Sequence, residues 1–251
     1  MLRRGIAAVA TGYLMFCAAL STASVGEQSV SIERNGWVAT FSAPTDRYGH
    51  AVLGSTPEWG KLCITHSDTE GCVTLPETKV FEDNAPRLAD VDGDGRLDAV
   101  VVESDAQAGA SLVVYMLEPS GQLKRIANDP IGTLFRWLAP IGIADLDGDG
   151  HTEVAYIDRP HLAKTLRILR FVDSGFIEVA TQTGLTNHRI GEPFITSGLR
   201  QCEGAPIEIL TVDASWSSIM ASSFDGPRVT TRSIGPFHGL MDMQSALECQ
   251  D

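Results

Sequence analysis

Two nine-residue stretches of this 251-residue chain repeat one pattern: Asp90 to Asp98 reads DVDGDGRLD and Asp145 to Glu153 reads DLDGDGHTE. Each runs into a β-like segment, Asp98-Ala99-Val100-Val101-Val102-Glu103 and Glu153-Val154-Ala155-Tyr156-Ile157-Asp158. A third such segment follows at Glu208-Ile209-Leu210-Thr211-Val212-Asp213. Asp98, Glu153 and Glu208 are 55 residues apart in both steps. A fainter copy, His50-Ala51-Val52-Leu53-Gly54, precedes them at a spacing of 48. A fixed period of this length marks a repeat architecture.

Within each copy a second and a third β-like run follow. They are Ser111 to Leu117 and Leu123 to Ala127, Thr165 to Val172 and Phe176 to Ala180, and Ser218 to Ser222 and Arg228 to Ser233, with Lys61 to Thr65 and Cys72 to Leu75 in the first copy. Turn residues separate them, as in Pro119-Ser120-Gly121, Asp173-Ser174-Gly175 and Phe224-Asp225-Gly226. An apolar run such as Ile141-Gly142-Ile143-Ala144 leads into each acidic loop. Four short strands per unit is the blade of a β-propeller. The expected fold is all-β, a small propeller of about four four-stranded blades, with units at roughly 29–83, 84–138, 139–193 and 194–251. A β-sandwich is the alternative. Ring closure would pair His238 to Asp242 with Trp37 to Phe41, unless Leu240 to Leu247 forms a short helix.

In the acidic loops, Asp90, Asp92 and Asp94 alternate with residues that include glycine, whose tolerance of positive φ lets the backbone curl and the carboxylates converge. Three converging carboxylates repel one another without a cation. Calcium, with its six to eight oxygen ligands, suits three aspartates, a carbonyl from Arg96 and the carboxylate of Asp98. The second loop offers Asp145, Asp147, Asp149, the carbonyl of His151, and Glu153. An EF-hand would need a bidentate glutamate at position 12 and flanking helices. Those positions hold Val101 and Tyr156, inside strands. Magnesium, with its strict octahedral geometry, fits less well. The matching stretches in the other copies, Arg200 to Gly204 and Thr45 to Gly49, lack the carboxylate set, so two calcium ions per chain are expected.

A strand, DxDGDGxx[DE] and a second apolar strand, repeated, resembles the FG-GAP/VCBS repeat family, which includes the propellers of integrin α-chains. The motif carries the resemblance over Pro86 to Glu103 and Pro140 to Asp158; elsewhere only the strand pattern does. The resemblance implies calcium with a structural role and no reaction. Integrin-type propellers have seven blades, whereas this chain has room for about four.

Residues 1–24 read as a secretory signal peptide: Arg3 and Arg4, an apolar stretch from Gly5 to Leu20, then small residues. Cys17 is a poor lipidation site because Phe16 precedes it. Cleavage leaves 17 basic against 32 acidic residues, a balance that argues against nucleic-acid and membrane-surface partners; no membrane insertion is expected after cleavage. The four remaining cysteines point to two disulfides in a periplasmic or secreted protein, Cys63 with Cys72 across a hairpin and Cys202 with Cys249.

On the propeller face opposite the calcium loops, Arg87, Arg136, Trp137, Asp158, Arg159, His161, His188 and Arg189 gather. They form either a ligand face or salt bridges that close the ring. The functional expectation is a non-catalytic binding or scaffold module for a protein or a glycan. The alternative, a polysaccharide-directed hydrolase or lyase, rests only on this cluster, because no nucleophile motif, zinc signature or phosphate loop occurs.

Overall fold

The computed structural model describes residues 28–172 and 175–250. The expected signal segment, with Cys17, and the Asp173-Ser174 part of one expected turn lie outside these residues.

The chain is all-β apart from one short helix among the described residues. Four antiparallel meanders follow one another. The first comprises β1 (Val30–Arg34), β2 (Trp37–Thr45), β3 (Glu58–His66) and β4 (Thr69–Thr74). In the second, β5 (Lys79–Phe81) and β6 (Arg87–Ala89) both pair with β7 (Asp98–Asp105), which continues to β8 (Gly109–Leu117) and β9 (Leu123–Ala127). The third is β10 (Leu138–Ala144), β11 (Glu153–Asp158), β12 (Thr165–Val172) and β13 (Gly175–Thr183). In the fourth, β14 (Leu185–Thr186) and β15 (Gly198–Arg200) pair with β16 (Glu208–Asp213), followed by β17 (Ser218–Phe224) and β18 (Val229–Pro236). A single bridge, Trp59 with Phe81, joins the first two meanders into one sheet. β5 thus belongs with the second meander, although it falls within 29–83.

Burial follows strand position. Every residue of β8 and all but the last of β7 are buried, so their apolar residues do not alternate with polar ones but run together, as Ala99 to Val102 and Leu112 to Leu117. β2, with one face inward, alternates: Trp37, Ala39 and Phe41 are buried while Val38 and Thr40 are half-buried. The β1–β2 hairpin turns on Asn35 and Gly36, both at positive φ, in the two-residue form that matches strand twist.

The meanders pack in chain order. One apolar cluster joins the first and second through Phe41, Leu62, Phe81, Val101 and Tyr115. Another joins the second and third through Val102, Leu112, Val114, Trp137 and Tyr156, and a third joins the third and fourth through Ile157, Ile168, Ile209 and Phe224. β4, β9, β13 and β18 lie side by side in that order.

Two strand expectations are corrected. His238 to Asp242 forms no strand, and Trp37 to Phe41 pairs only within its own meander, with β1 and β3. Helix α1 (Leu240–Leu247) stands there instead, the alternative read from the sequence. It covers the last meander, burying Met243 and Ala246 against Leu210, Val212, Ile219 and Ala221. The Asp242 carboxylate accepts from the His238 and Gly239 amides at 2.6 and 3.1 Å, satisfying donors at the helix start. His50 to Gly54 is also no strand. It lies in the long loop between β2 and β3, where Gly49, Ala51 and Gly54 take positive φ and break any extended run. Its Val52 and Leu53 are nevertheless buried, and the Gly191 amide donates to Val52 O at 2.9 Å, so this loop reaches the fourth meander.

Both expected disulfides form. Cys63 and Cys72 face each other across β3 and β4, and Cys202 joins Cys249 just beyond α1. Among the described residues, no helix is long and apolar enough to cross a membrane.

Candidate metal centre

The first acidic loop spans the gap between β6 and β7. Gly93 and Gly95, at φ of 76° and 85°, provide its curl. The Asp90 carboxylate accepts from the Gly93 and Gly95 amides at 2.8 and 2.9 Å, Asp92 accepts from Asp94 at 3.2 Å, and Asp94 accepts from Arg96 at 2.8 Å. These bonds wind the loop so that oxygens of Asp90, Asp92 and Asp94 lie within 4.8 Å of one another. Asp98, buried at the start of β7, accepts from the Val91 amide at 3.2 Å. Burial first, then the charges of Asp92, Asp94 and Asp90, push its carboxyl up to about 7. The Arg96 guanidinium turns away, donating to Leu117 O and lying 5.5 Å from the Trp37 ring centre. Among the described residues no ion pair to Asp90, Asp92, Asp94 or Asp98 is present.

The second loop, between β10 and β11, has the same backbone. Asp145 accepts from Gly148 and Gly150 at 2.8 and 2.9 Å, Asp149 from His151 at 2.9 Å, and Glu153 from Leu146 at 2.9 Å. Here the converging group is Asp145, Asp147 and Glu153. The surroundings differ, because Arg170 of β12 sits opposite Glu153 in register and reaches Glu153 at 2.6 Å, Asp149 at 2.7 Å and Asp147 at 2.8 Å. The two loops are neighbours, for Thr152 Oγ1 donates to Asp90 O at 3.2 Å.

The fourth meander has no acidic loop, yet Glu208 holds the position of Asp98 and Glu153. It is ion-paired to Arg200 at 2.9 Å and to Arg232. Cys63, Glu70 and Cys72 also cluster, but the two thiols are consumed by their disulfide.

Residues 90–156 match the family model described as FG-GAP-like repeat. The match runs from the first aspartate of one loop into the strand beyond the other, so it brackets both. The resemblance read from the DxDGDG motif holds over this stretch. Among curated proteins, none matches the chain.

The other group of candidate residues divides into two sets. Arg136, Trp137, Arg159 and His161 line one small cleft together with His50, Phe135, Pro160 and Leu162. His188 joins them: its Nδ1 lies 3.0 Å from His161 Nε2, and its ring meets Trp137 edge to face. Burial and the neighbouring imidazole charges hold His161 down to about 4, so it is neutral above that. Asp158 serves ion pairs, to Arg159 at 2.7 Å and Arg167 at 2.9 Å. Arg87 binds Asp83, while Arg189 stacks on Trp216 at 3.9 Å and pairs with Glu192. Three of the eight, Arg87, Asp158 and Arg189, thus stand in structural contacts and do not line the cleft.

Behind His50 and Trp137 of the cleft lie groups that sequence reasoning did not single out as site residues. Glu82, 2 % exposed, accepts from Ser104 and lies 2.6 Å from His50 Nδ1, while its backbone carbonyl accepts from the Trp137 indole at 2.9 Å. Burial raises the Glu82 carboxyl above its ordinary range. Ser104 donates to the carboxylate and not to the imidazole, so this trio is not the hydroxyl–imidazole pair that nucleophilic catalysis uses. Only the repeat position of Glu82, in the segment leading into the second unit, marked it in the sequence.

Proposed function

We propose that the protein is an exported, calcium-stabilised binding or scaffold module of the FG-GAP/VCBS kind, its four meanders acting as consecutive blades of an open propeller. The observation that carries this reading is the convergence of Asp90, Asp92 and Asp94 within 4.8 Å in a loop to which no described residue supplies an ion-pair partner, inside the stretch that matches the FG-GAP-like repeat. The donor set fits a hard cation with several oxygen ligands: three carboxylates, with Asp98 behind them and the Arg96 carbonyl as a further candidate. Calcium there would turn carboxylate repulsion into attraction and tie β6 to β7. Export is supported by the two disulfides and by the apolar N-terminal stretch after Arg3 and Arg4.

The open arrangement is supported by the ends of the stack. The last meander is covered by α1, and the outer side of the first presents Ser31, Thr40 and the Cys63–Cys72 bridge, polar groups suited to solvent. A partner protein or glycan would meet the cleft around Arg136, where Phe135 and Leu162 are exposed beside the guanidinium.

Calcium titration by calorimetry, with melting curves in calcium and in chelator, tests the metal. Binding that raises the melting temperature, and that Asp92→Asn with Asp94→Asn removes, is expected; an unchanged melting temperature in chelator overturns the reading. Turnover of polysaccharides that dies with Arg136→Ala or His188→Ala would replace the module by an enzyme.

A further inference from the structure

The two acidic loops share a sequence pattern and a backbone, yet their charge environments are unequal. At the first loop four carboxylates, Asp90, Asp92, Asp94 and Asp98, stand without an ion-pair partner among the described residues. At the second, the guanidinium of Arg170 already spans Asp147, Asp149 and Glu153 through three contacts of 2.6–2.8 Å. Its side chain is only 16 % exposed, and Glu153 is fully buried. We propose that Arg170 is the resident cation of the second loop, a tethered guanidinium in the place where the first loop takes calcium, so that the chain holds one calcium ion and not two. The proposal rests on the calcium reading of the first loop.

Register explains why only one loop has this cation. Glu153 pairs directly with Arg170 on β12. In the second meander Ala99 pairs with Tyr115, so the next residue of β8, Met116, stands where Arg170 stands. Met116 is buried and carries no charge. The fourth meander extends the series. Glu208, without any aspartate triad beside it, is held by Arg200 and Arg232. The carboxylate that begins the strand after the acidic-loop position in the second, third and fourth meanders is therefore met by no arginine at Asp98, by one at Glu153 and by two at Glu208. The number of arginines rises as the means of binding a metal falls away.

The chemistry favours retention of the guanidinium. Its planar fork donates to several carboxylates at once, and charge-assisted bonds of this kind are the strong ones. An incoming calcium ion would have to displace it from Asp147 and Glu153, two of the three oxygens that converge, and leave a half-buried cation beside a divalent one. Loss of one of the three bonds suffices for about a tenfold drop in calcium affinity at this loop relative to the first.

The test is calcium stoichiometry by calorimetry on the full chain, with Arg170→Met and with Asp90→Asn/Asp92→Asn. The wild type should bind one ion tightly, and Arg170→Met should bind two. Asp90→Asn/Asp92→Asn, which retains Arg170, should bind none tightly, so this arm decides the question even if Arg170→Met does not fold. Melting curves supply a second readout: Arg170→Met should lose more melting temperature in chelator than the wild type and recover it in calcium. Two ions of similar affinity in the wild type, or one left in Asp90→Asn/Asp92→Asn, would overturn the assignment of Arg170 while leaving the first loop's calcium intact. No binding in any variant would overturn both.

Discussion

Removing the Cys202–Cys249 bridge should cost more stability than removing Cys63–Cys72, although the second is part of a sheet and the first ties down a chain end. A cross-link stabilises mainly by restricting the unfolded chain, and the restriction grows with the length of the closed loop. The sequence separations are 47 and 9 residues. In the chain-entropy relation they correspond to about 4 and about 2.5 kcal/mol. All four half-cystines are partly or fully exposed, so serine hydroxyls in their place remain solvated and the comparison isolates the chain term. For a chain of this size each kcal/mol shifts the melting temperature by about 2–4 °C. Cys202→Ser/Cys249→Ser should therefore melt about 3–6 °C below Cys63→Ser/Cys72→Ser in calorimetric scans at fixed calcium. The larger bridge also holds α1, so its loss should speed amide exchange in Leu240–Leu247 beyond the global change. Equal or reversed melting temperatures would refute the chain-entropy reasoning; unchanged exchange in α1 would show that Met243, Ala246 and the Arg200 bond to Ala246 O hold the helix unaided.

Gly54→Ala and Gly36→Ala both place alanine at positive φ, but a Cβ at Gly54 would lie 2.3 Å from Gly191 O whereas at Gly36 it meets nothing. Denaturant titration should show about 1 kcal/mol lost at Gly36 and at least twice that at Gly54, where the loop contact with the fourth meander must open. His161 has a folded pKa of about 4, below the ordinary 6.5, so the unfolded chain binds the extra proton between those values and stability falls as pH drops from 6.5 towards 4. Relative to His161→Gln, the wild type should lose about 1–3 kcal/mol across that window, after discounting for partial exposure, and parallel pH profiles would contradict the assignment. Trp137→Phe removes the donor to the Glu82 carbonyl and part of a fully packed side chain; urea melts should register about 2–4 kcal/mol, and less than 1 would mean that the cleft repacks.

The features legible in the sequence are those set by near neighbours in the chain. DxDGDG specifies its own curl, because alternating carboxylates accept from the amides two to five residues on and glycine supplies the positive φ. β7, β11 and β16 are visible as apolar runs at constant spacing, and β9 and β12 with the bounds they have in the fold. The short separation of Cys63 and Cys72 across turn residues likewise announced their bridge.

Tertiary structure decided the rest. His50 to Gly54 carries the composition of a strand, but positive φ at Ala51 and Gly54, and at Gly49 just before them, turns it into a loop whose Val52 and Leu53 pack against distant β8 and its neighbours. Glu82 owes its burial to His50, Ser104 and Trp137, brought from three separate segments. Most telling is Arg170, which stands 17 positions after Glu153 and becomes its neighbour only through the β11–β12 register. The local pattern states that carboxylates will converge. Whether a guanidinium stands among them depends on the residue that pairing places opposite, and a one-residue shift in that pairing would send the arginine to the other face of the sheet.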